Sequence, residues 1–408
     1  MSQASIPLWT ILRSREQYGG PDLPLLTVKS ESGVEVRDLS QGRQPSEDMS
    51  SYRVVQQGDL VVNRLWARFG AYGTSQHAGV ISPAYWVLDV ENSKVDSRYL
   101  HHLLRSEPYR QEIGRRSKNM PPNGFDLPWD QFKKIELPVL PLEEQRRIAD
   151  FLDAETARID ALAAAMNSQD LSLKQRRLRV LDFASEHTPG TPFARLGYLS
   201  SLVTSGSRGW GDFVSDTGAL FFRSANLHSD RVQPKLTNLV YVQVPAAASS
   251  EAQRSRIEPG DVLVGITGAN AGWVCMANGD VAGGHVSQHV CLVRPDKRQI
   301  NGKWLAFLIA APVTQSKLMG NQYGGTKTQL SLPDIRDIRI PVLPLEQQMQ
   351  MARSIEQQID ALDRQRLLRQ RQLALLTERR QALITAAVTG QFDVSTASGR
   401  NVMDGVTA

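Results

Sequence analysis

Residues 140–181 read LPLEEQRRIADFLDAETARIDALAAAMNSQDLSLKQRRLRVL, and the rest of the chain is organised around them. Pro138 and Pro141 close whatever precedes the stretch, because proline is tolerated in a first helical turn, where its missing N–H is not needed. Glu143 and Glu144 follow, suited to the positive end of a helix dipole. Ile148, Leu152, Ile159, Leu162 and Met166 recur at steps of three, four or seven, which places them on one helix face, with Glu155 the polar residue in that register. A helix of roughly forty residues runs on the order of 60 Å, too long for the inside of one ordinary domain. It reads as a spacer whose apolar stripe needs a partner.

The same chain supplies that partner. Residues 343–384 read LPLEQQMQMARSIEQQIDALDRQRLLRQRQLALLTERRQALI. Both stretches open on Pro-Val-Leu-Pro-Leu-Glu, at Pro138 and Pro341, and both continue to Ile-Asp-Ala-Leu, at Ile159 and Ile359. Both end on an arginine pair, Arg176-Arg177 and Arg379-Arg380. The repeat recurs about half a chain later, the period of a domain duplication rather than of a solenoid. Each stretch is acid-rich first (Asp150, Asp153, Asp160; Glu356, Asp360, Asp363) and basic last (Lys174, Arg176, Arg179; Arg366, Arg369, Arg371). An antiparallel pair sets acid against base at both ends; the alternative is that each helix only complements its own dipole. Arg366 and Arg369 interrupt the second stripe, so the seam need not be regular.

At 408 residues the chain suggests two or more domains. No apolar run approaches the ~18 residues that span a bilayer, so no membrane association is expected. The first twenty residues lack a basic region followed by an apolar core, so no signal peptide is expected. Cys275 and Cys291 give no disulfide framework and fit a reducing cytoplasm. A net charge of +5 permits nucleic-acid binding without demonstrating it.

Ahead of each long stretch stands a globular unit. In the first, Leu25–Val28, Val34–Val36, Asp59–Asn63 and Tyr85–Leu88 read as short strands, and residues 97–105 and 108–115 as helices. In the second, Pro259-Gly260-Asp261-Val262 matches Gln57-Gly58-Asp59-Leu60, residues 303–310 match the 97–105 helix, and residues 273–276 and 286–293 read as a hairpin. The loops differ almost completely: NMPPNGFDLPWD from Asn119 stands where GNQYGGTKTQL from Gly320 stands later. Two readers of different targets on one frame would look like this, and so would drift after duplication.

Enzyme signatures come close without matching. Met120-Pro121-Pro122-Asn123 approaches the Asn-Pro-Pro-aromatic motif of adenine methyltransferases, but Asn119 is one place too early and no ring follows the prolines. Thr326 separates Gly325 from Lys327, breaking a P-loop. Cys275, His285, His289 and Cys291 lack the tight paired spacing of zinc ligands, and cysteines in apolar strands are more often core residues. No catalytic, cofactor-binding or metal-binding residue is assigned.

The sequence resembles the specificity subunits of type I restriction–modification systems. The resemblance rests on LPVLPLEEQRRIADFLDAETARIDAL, on IPVLPLEQQ with its IDAL, on the closing LLTERRQALITAAVTGQFDV, and on TSGSRGWGDF at the opening of the second unit. It implies a mixed α/β (α+β) chain in which two target-recognition domains are separated by an antiparallel coiled coil of two long helices, a pseudo-twofold internal repeat. The expected divisions are 1–139 and 184–342 for the domains, 140–183 and 343–388 for the spacer helices, and 389–408 for the tail. It further implies a two-part double-stranded DNA site, two methyltransferase subunits that modify adenine with S-adenosylmethionine, and motor-nuclease restriction subunits. Catalysis would lie on those partners and not on this chain. The alternatives are a self-contained methyltransferase or nuclease, which lacks a motif here, and a coiled-coil scaffold, which leaves the duplicated units unexplained.

DNA contacts would come from loop side chains able to read base edges or phosphates. In the first unit the candidates are Arg64, Arg68, Tyr72, Gln76, His77, Lys118, Asn119 and Asn123. In the second they are Ser205, Ser207, Arg208, Arg223, Asn226, Asn270, Tyr323, Thr326 and Lys327.

Overall fold

The computed structural model describes residues 4–20, 22–40, 48–120, 124–185, 189–320 and 329–395. The chain divides into two compact units, residues 1–166 with 370–408, and residues 167–369. It is a mixed helix and strand fold with an internal repeat.

Unit one is built on an antiparallel four-stranded sheet in the order Leu12–Ser14, Trp86–Val90, Leu60–Val62, Tyr72–Thr74. Leu60-Val61-Val62 is an unbroken apolar run because both faces of the sheet are covered. Leu60 and Val62 enter the main core beside Leu100, Leu103 and Leu104. Val61 faces the other way, against Leu26, Val28 and Val34 of a separate hairpin.

Unit two repeats this plan. Its sheet runs Ser200–Ser205, Val290–Pro295, Val262–Gly265, Val274–Met276, the same order of corresponding strands. Val262 and Val264 face one core and Leu263 the other. The hairpin expected between residues 273–276 and 286–293 does not form. Val274–Met276 pairs with Val262–Gly265, and Val290–Pro295 lies on the far side of that strand. Beyond the turn, Gly283 takes φ 80°, and His285–Val286 leaves to pair in parallel with Phe221–Phe222 of a second sheet.

The shared Gly-Asp pair has a structural explanation. Gly58 and Gly260 take φ 94° and 93°, a left-handed turn that favours glycine. The aspartates that follow are each 2% exposed. Asp59 accepts the Gln56 N–H at 2.8 Å and Arg15 Nε at 2.6 Å. Asp261 accepts the Glu258 N–H at 2.8 Å and Arg294 Nε at 3.0 Å. The arginine comes from a different place in each unit, Arg15 just after Leu12–Ser14 and Arg294 within Val290–Pro295, yet the carboxylate is desolvated and satisfied in the same way.

Each unit is closed by a short ladder just before its long helix, Ser5–Pro7 with Glu136–Pro138 and Phe193–Arg195 with Arg339–Pro341. The helices are Leu142–Asp182 and Leu345–Val388, of 41 and 44 residues. Gln145 and Gln348, 2% and 1% exposed, tie their first turns to the domains. Gln145 accepts the Asp96 N–H and donates to Lys94 O and Leu140 O. Gln348 does the same with Asn301, Gln299 and Leu343. Asp96 and Asn301 are in turn the N-caps of helices Ser97–Arg105 and Gly302–Ala310.

Within each unit the two helix segments run antiparallel. In unit one Ile148, Ala149 and Leu152 share a core with Leu383, Ile384, Ala387 and Val388, and Arg380 pairs with Asp160 at 3.3 Å. In unit two Leu173, Val180 and Leu181 share a core with Ile355, Ile359 and Leu362. There Arg366 pairs with Asp170 at 3.1 Å and Arg177 with Asp363 at 3.6 Å. Acid faces base, as the charge pattern implies. The expected stripe is only partly buried: Ile148, Leu152 and Ile159 are inside, while Leu162 is 49% exposed. Each buried glutamine satisfies three backbone groups, so Gln145→Ala and Gln348→Ala should each cost about 2–3 kcal/mol in a urea denaturation. Exposed Gln358→Ala should stay within about 0.5 kcal/mol of wild type. Equal stability of all three variants would contradict this role.

Candidate nucleic-acid interface

In unit one the chain leaves the central strand through Asn63–Ala71. The Trp66 N–H donates to Asn63 O at 3.0 Å, a short 3-10 turn spans Ala67–Phe69, and Gly70 ends it at φ 91°. Ala67, 1% exposed, is the anchor. Around it Arg64, Leu65, Trp66, Arg68 and Phe69 all face solvent. The base of the loop is held by Arg105, a residue the sequence did not single out. Its guanidinium is buried and donates to four carbonyls: Gly70, Tyr72, Ser30 and Glu31. Burial lowers its pKa to about 10.

The loop meets a second element, the two-residue ladder of Lys118–Asn119 with Phe125–Asp126. Arg64 makes a fork to Asp126 at 2.6 and 3.1 Å. The Arg68 guanidinium lies 4.3 Å over the Phe125 ring. Arg68 also lines an open cleft of about 710 Å³ with Arg110, Gln111, Arg115 and Ser117. The structure therefore brings together Arg64, Arg68, Lys118 and Asn119 on one basic surface.

The other unit-one candidates are elsewhere. Tyr72 is fully buried and its hydroxyl donates to Leu104 O at 2.9 Å, with desolvation raising its pKa, so it is a core residue and not a DNA contact. Gln76 and His77 are exposed, but Ser75 exchanges backbone hydrogen bonds with Gly58 and Asp59. That sets them beside the start of the central strand, whereas Arg64 and Arg68 follow its end. Asn123 lies outside the described residues.

Unit two presents a more polar surface at the corresponding strand end. Ser205 and Ser207 are half-buried and Arg208 is exposed. Between the serines, Gly206 donates to Ser287 O, and a Cβ there would meet Val286 O at 1.9 Å. Arg223 donates to Asn238 O at 3.0 Å, and Asn270 to Ser224 O at 3.0 Å, which links the two loops. Asn226 is fully buried: it accepts the Arg223 N–H and donates to Lys235 O and Thr237 O. It therefore shapes the loop and is not a DNA contact. Tyr323, Thr326 and Lys327 lie outside the described residues.

Gln288 and His289 were missed as members of this surface. His289 Nδ1 is 2.7 Å from Thr267 Oγ1, and its Nε2 is 3.2 Å from Gln288 Nε2. In the sequence His289 draws notice only within the set Cys275, His285, His289 and Cys291, whose spacing does not suit zinc, and Gln288 carries no signal. Cys275 and Cys291 lie in two different cores, and burial raises both thiols, that of Cys291 to about 12. His285 faces Ser255 at 3.2 Å. The four side chains do not converge on one ion.

Residues 248–370 match the family model for the type I restriction modification DNA specificity domain. The type I restriction enzyme EcoBI specificity subunit of Escherichia coli is 22% identical over 66% of this chain and 60% of its own length. The EcoKI specificity subunit of Escherichia coli K12 is 23% identical over 64% of this chain and 58% of its own. The chain thus spans about three fifths of the length of these curated relatives. Among solved structures, a chain from work on complex assembly and conformational transition of the type I R-M system superposes with a TM-score of 0.74 at 16% identity. The match covers 96% of this chain and 99% of the other. The HsdS subunit from Thermoanaerobacter tengcongensis gives 0.52 at 18% identity, over 95% and 97%. The likeness in fold and the family model agree with the resemblance read from the sequence.

Burial separates shaping residues from surface ones. Asn226→Ala should cost about 2–3 kcal/mol and Tyr72→Phe about 1 kcal/mol in chemical denaturation. Gln76→Ala and Arg208→Ala should shift stability by less than about 0.5 kcal/mol. A reversed order would contradict the assignment.

Proposed function

We infer that this chain is a specificity subunit of a type I restriction–modification system and reads a two-part double-stranded DNA site, one half with each globular domain. The domains are residues 1–139 and 184–342, and the long helices are the spacer. One observation carries the reading. The same four-strand order occurs twice, while the loop after the central strand is Asn63–Ala71 in one unit and Ile266–Gly272 in the other, with unlike side chains. A scaffold held constant under changed loops is how one frame comes to recognise two sequences.

Chemistry belongs to partners in this reading. Two methyltransferase subunits carry S-adenosylmethionine and modify adenine, and restriction subunits move and cut DNA, in the cytoplasm. The relatives named above support that assignment through their description as specificity subunits. The unit-one cations supply the positioning contacts, and phosphate neutralisation makes such binding fall with salt.

The test is a domain exchange. Residues 184–342 are replaced by the matching domain of a relative, the chimaera is produced with the methyltransferase subunits, and the methylated motif is read. One half of the motif should change and the other remain. A change in both halves would overturn the modular reading. The chain alone with S-adenosylmethionine should leave DNA unlabelled; robust transfer without a second protein would overturn the division of labour. In the complex, Arg68→Ala should weaken duplex binding across sequences and reduce the salt slope by about one.

A further inference from the structure

Leu65, Trp66 and Phe69 are 42%, 57% and 45% exposed, three large apolar side chains within five residues of one short loop. Adjoining exposed apolar side chains on a water-facing surface mark a contact. The rings form a ladder: Trp66 to Phe69 at 5.5 Å between centroids, and Phe69 to Phe125 at 5.9 Å, edge-on. Met120, next along the chain from Lys118–Asn119, is 50% exposed.

The loop is braced. Ala67 is buried beneath it, Arg105 donates to Gly70 O and Tyr72 O at its base, and the Arg64 fork to Asp126 ties its first residue to the neighbouring ladder. A prong held this firmly presents its side chains without further ordering, which lowers the entropic cost of binding.

The scaffold itself does not demand these residues. At the same exit in unit two the chain reads Thr267-Gly268-Ala269-Asn270, with no large apolar side chain. The prong is thus a property of unit one's contact surface and not of the fold.

The charge around it selects the occupant. Arg68 lies over the Phe125 ring and lines the adjoining cleft with Arg110, Arg115 and one acid, Glu107, while Asp126 and Glu112 are already paired to Arg64 and to Arg115 and Arg116. Alternating arginines and apolar side chains suit a duplex, since the cations hold phosphates while an apolar wedge enters between base pairs.

We propose that the Leu65–Phe69 prong is a wedge that unstacks a base step in the half-site read by unit one, with Trp66 at its tip. Unit two reads its half-site without such a distortion. The proposal rests on the DNA-reading function above and adds how one half is read: by the cost of deforming a particular step as well as by contacts to base edges.

The experiment uses the complete complex with its methyltransferase subunits, without S-adenosylmethionine. Cognate duplexes carry 2-aminopurine at single positions across both half-sites, excluding the adenines that become methylated. Wild type should raise the fluorescence several-fold at one step of the unit-one half-site and nowhere in the other half. Trp66→Ala should abolish the rise and weaken specific binding roughly tenfold, the scale of an aromatic–base stack. Trp66→Phe should restore much of both. Phe69→Ala should reduce the signal in parallel, and near-wild-type circular dichroism is expected because both rings are exposed. Wild-type fluorescence and affinity in Trp66→Ala and Phe69→Ala would overturn the wedge while leaving DNA reading intact. Loss of a methyltransferase subunit from the Trp66→Ala complex, with no rise at any step in wild type, would mark the prong as a protein contact and also overturn it. Failure of the wild-type complex to bind any duplex, read by anisotropy, would remove the function and the wedge together.

Discussion

Each unit hangs on a strand buried on both faces. Leu60–Val62 and Val262–Gly265 send alternate side chains into separate cores, so neither face can be exchanged for the other. A slip of one residue would reverse every side chain. The register is pinned at the strand's start by the left-handed glycine and by the buried aspartate, whose oxygens take a backbone N–H and an arginine fork. With the start fixed, the strand's far end is a constant point from which a loop can depart. Sequence change in that loop then alters the surface without altering the frame.

The helices obey a different rule. Their apolar contacts gather where each segment packs against its own unit, and residues 160–172 contain no fully buried side chain. Between the apolar clusters the pairing rests on charge, with Arg366 on Asp170 and Arg380 on Asp160. Arg177 is 4% exposed and stands 3.6 Å from Asp363, and burial lowers its pKa. An ion pair of this kind adds little net stability, but a wrong register would leave the Arg177 charge buried without a partner.

The sequence made the architecture legible because it is written twice. Two Pro-Leu-Glu openings, two Ile-Asp-Ala-Leu repeats and two Gly-Asp turns identify corresponding parts without knowledge of the fold. The 97–105 helix has the bounds expected of it, Ser97–Arg105. The hairpin expected after Trp273 does not form, because strand pairing is a long-range choice and a turn signal records only the local one. Tyr72 and Asn226 were misread for a related reason. Tyr72 lies between Gly70 and Gly73 and Asn226 in a polar run without glycine, places where polar side chains are usually solvated, and only the fold reveals that their polar atoms are spent on carbonyls farther along the chain. Arg105 went unnoticed because a helical arginine normally faces water, and nothing local shows that it spans the interior to brace a loop. Arg64 and Arg68 were legible as loop cations, whereas the exposed rings of Trp66 and Phe69 carry no local signal that separates them from core residues.

In the proposed function, this chain alone sets which adenines the partner subunits modify. The most direct test is to map modified adenines across the source genome with the gene present and with it deleted, the methyltransferase gene being kept. The expected result is a single two-part motif, two short specific sequences separated by unspecified bases, that vanishes on deletion and returns on complementation. A motif that persists without the gene, or one continuous sequence with no unspecified gap, would contradict it.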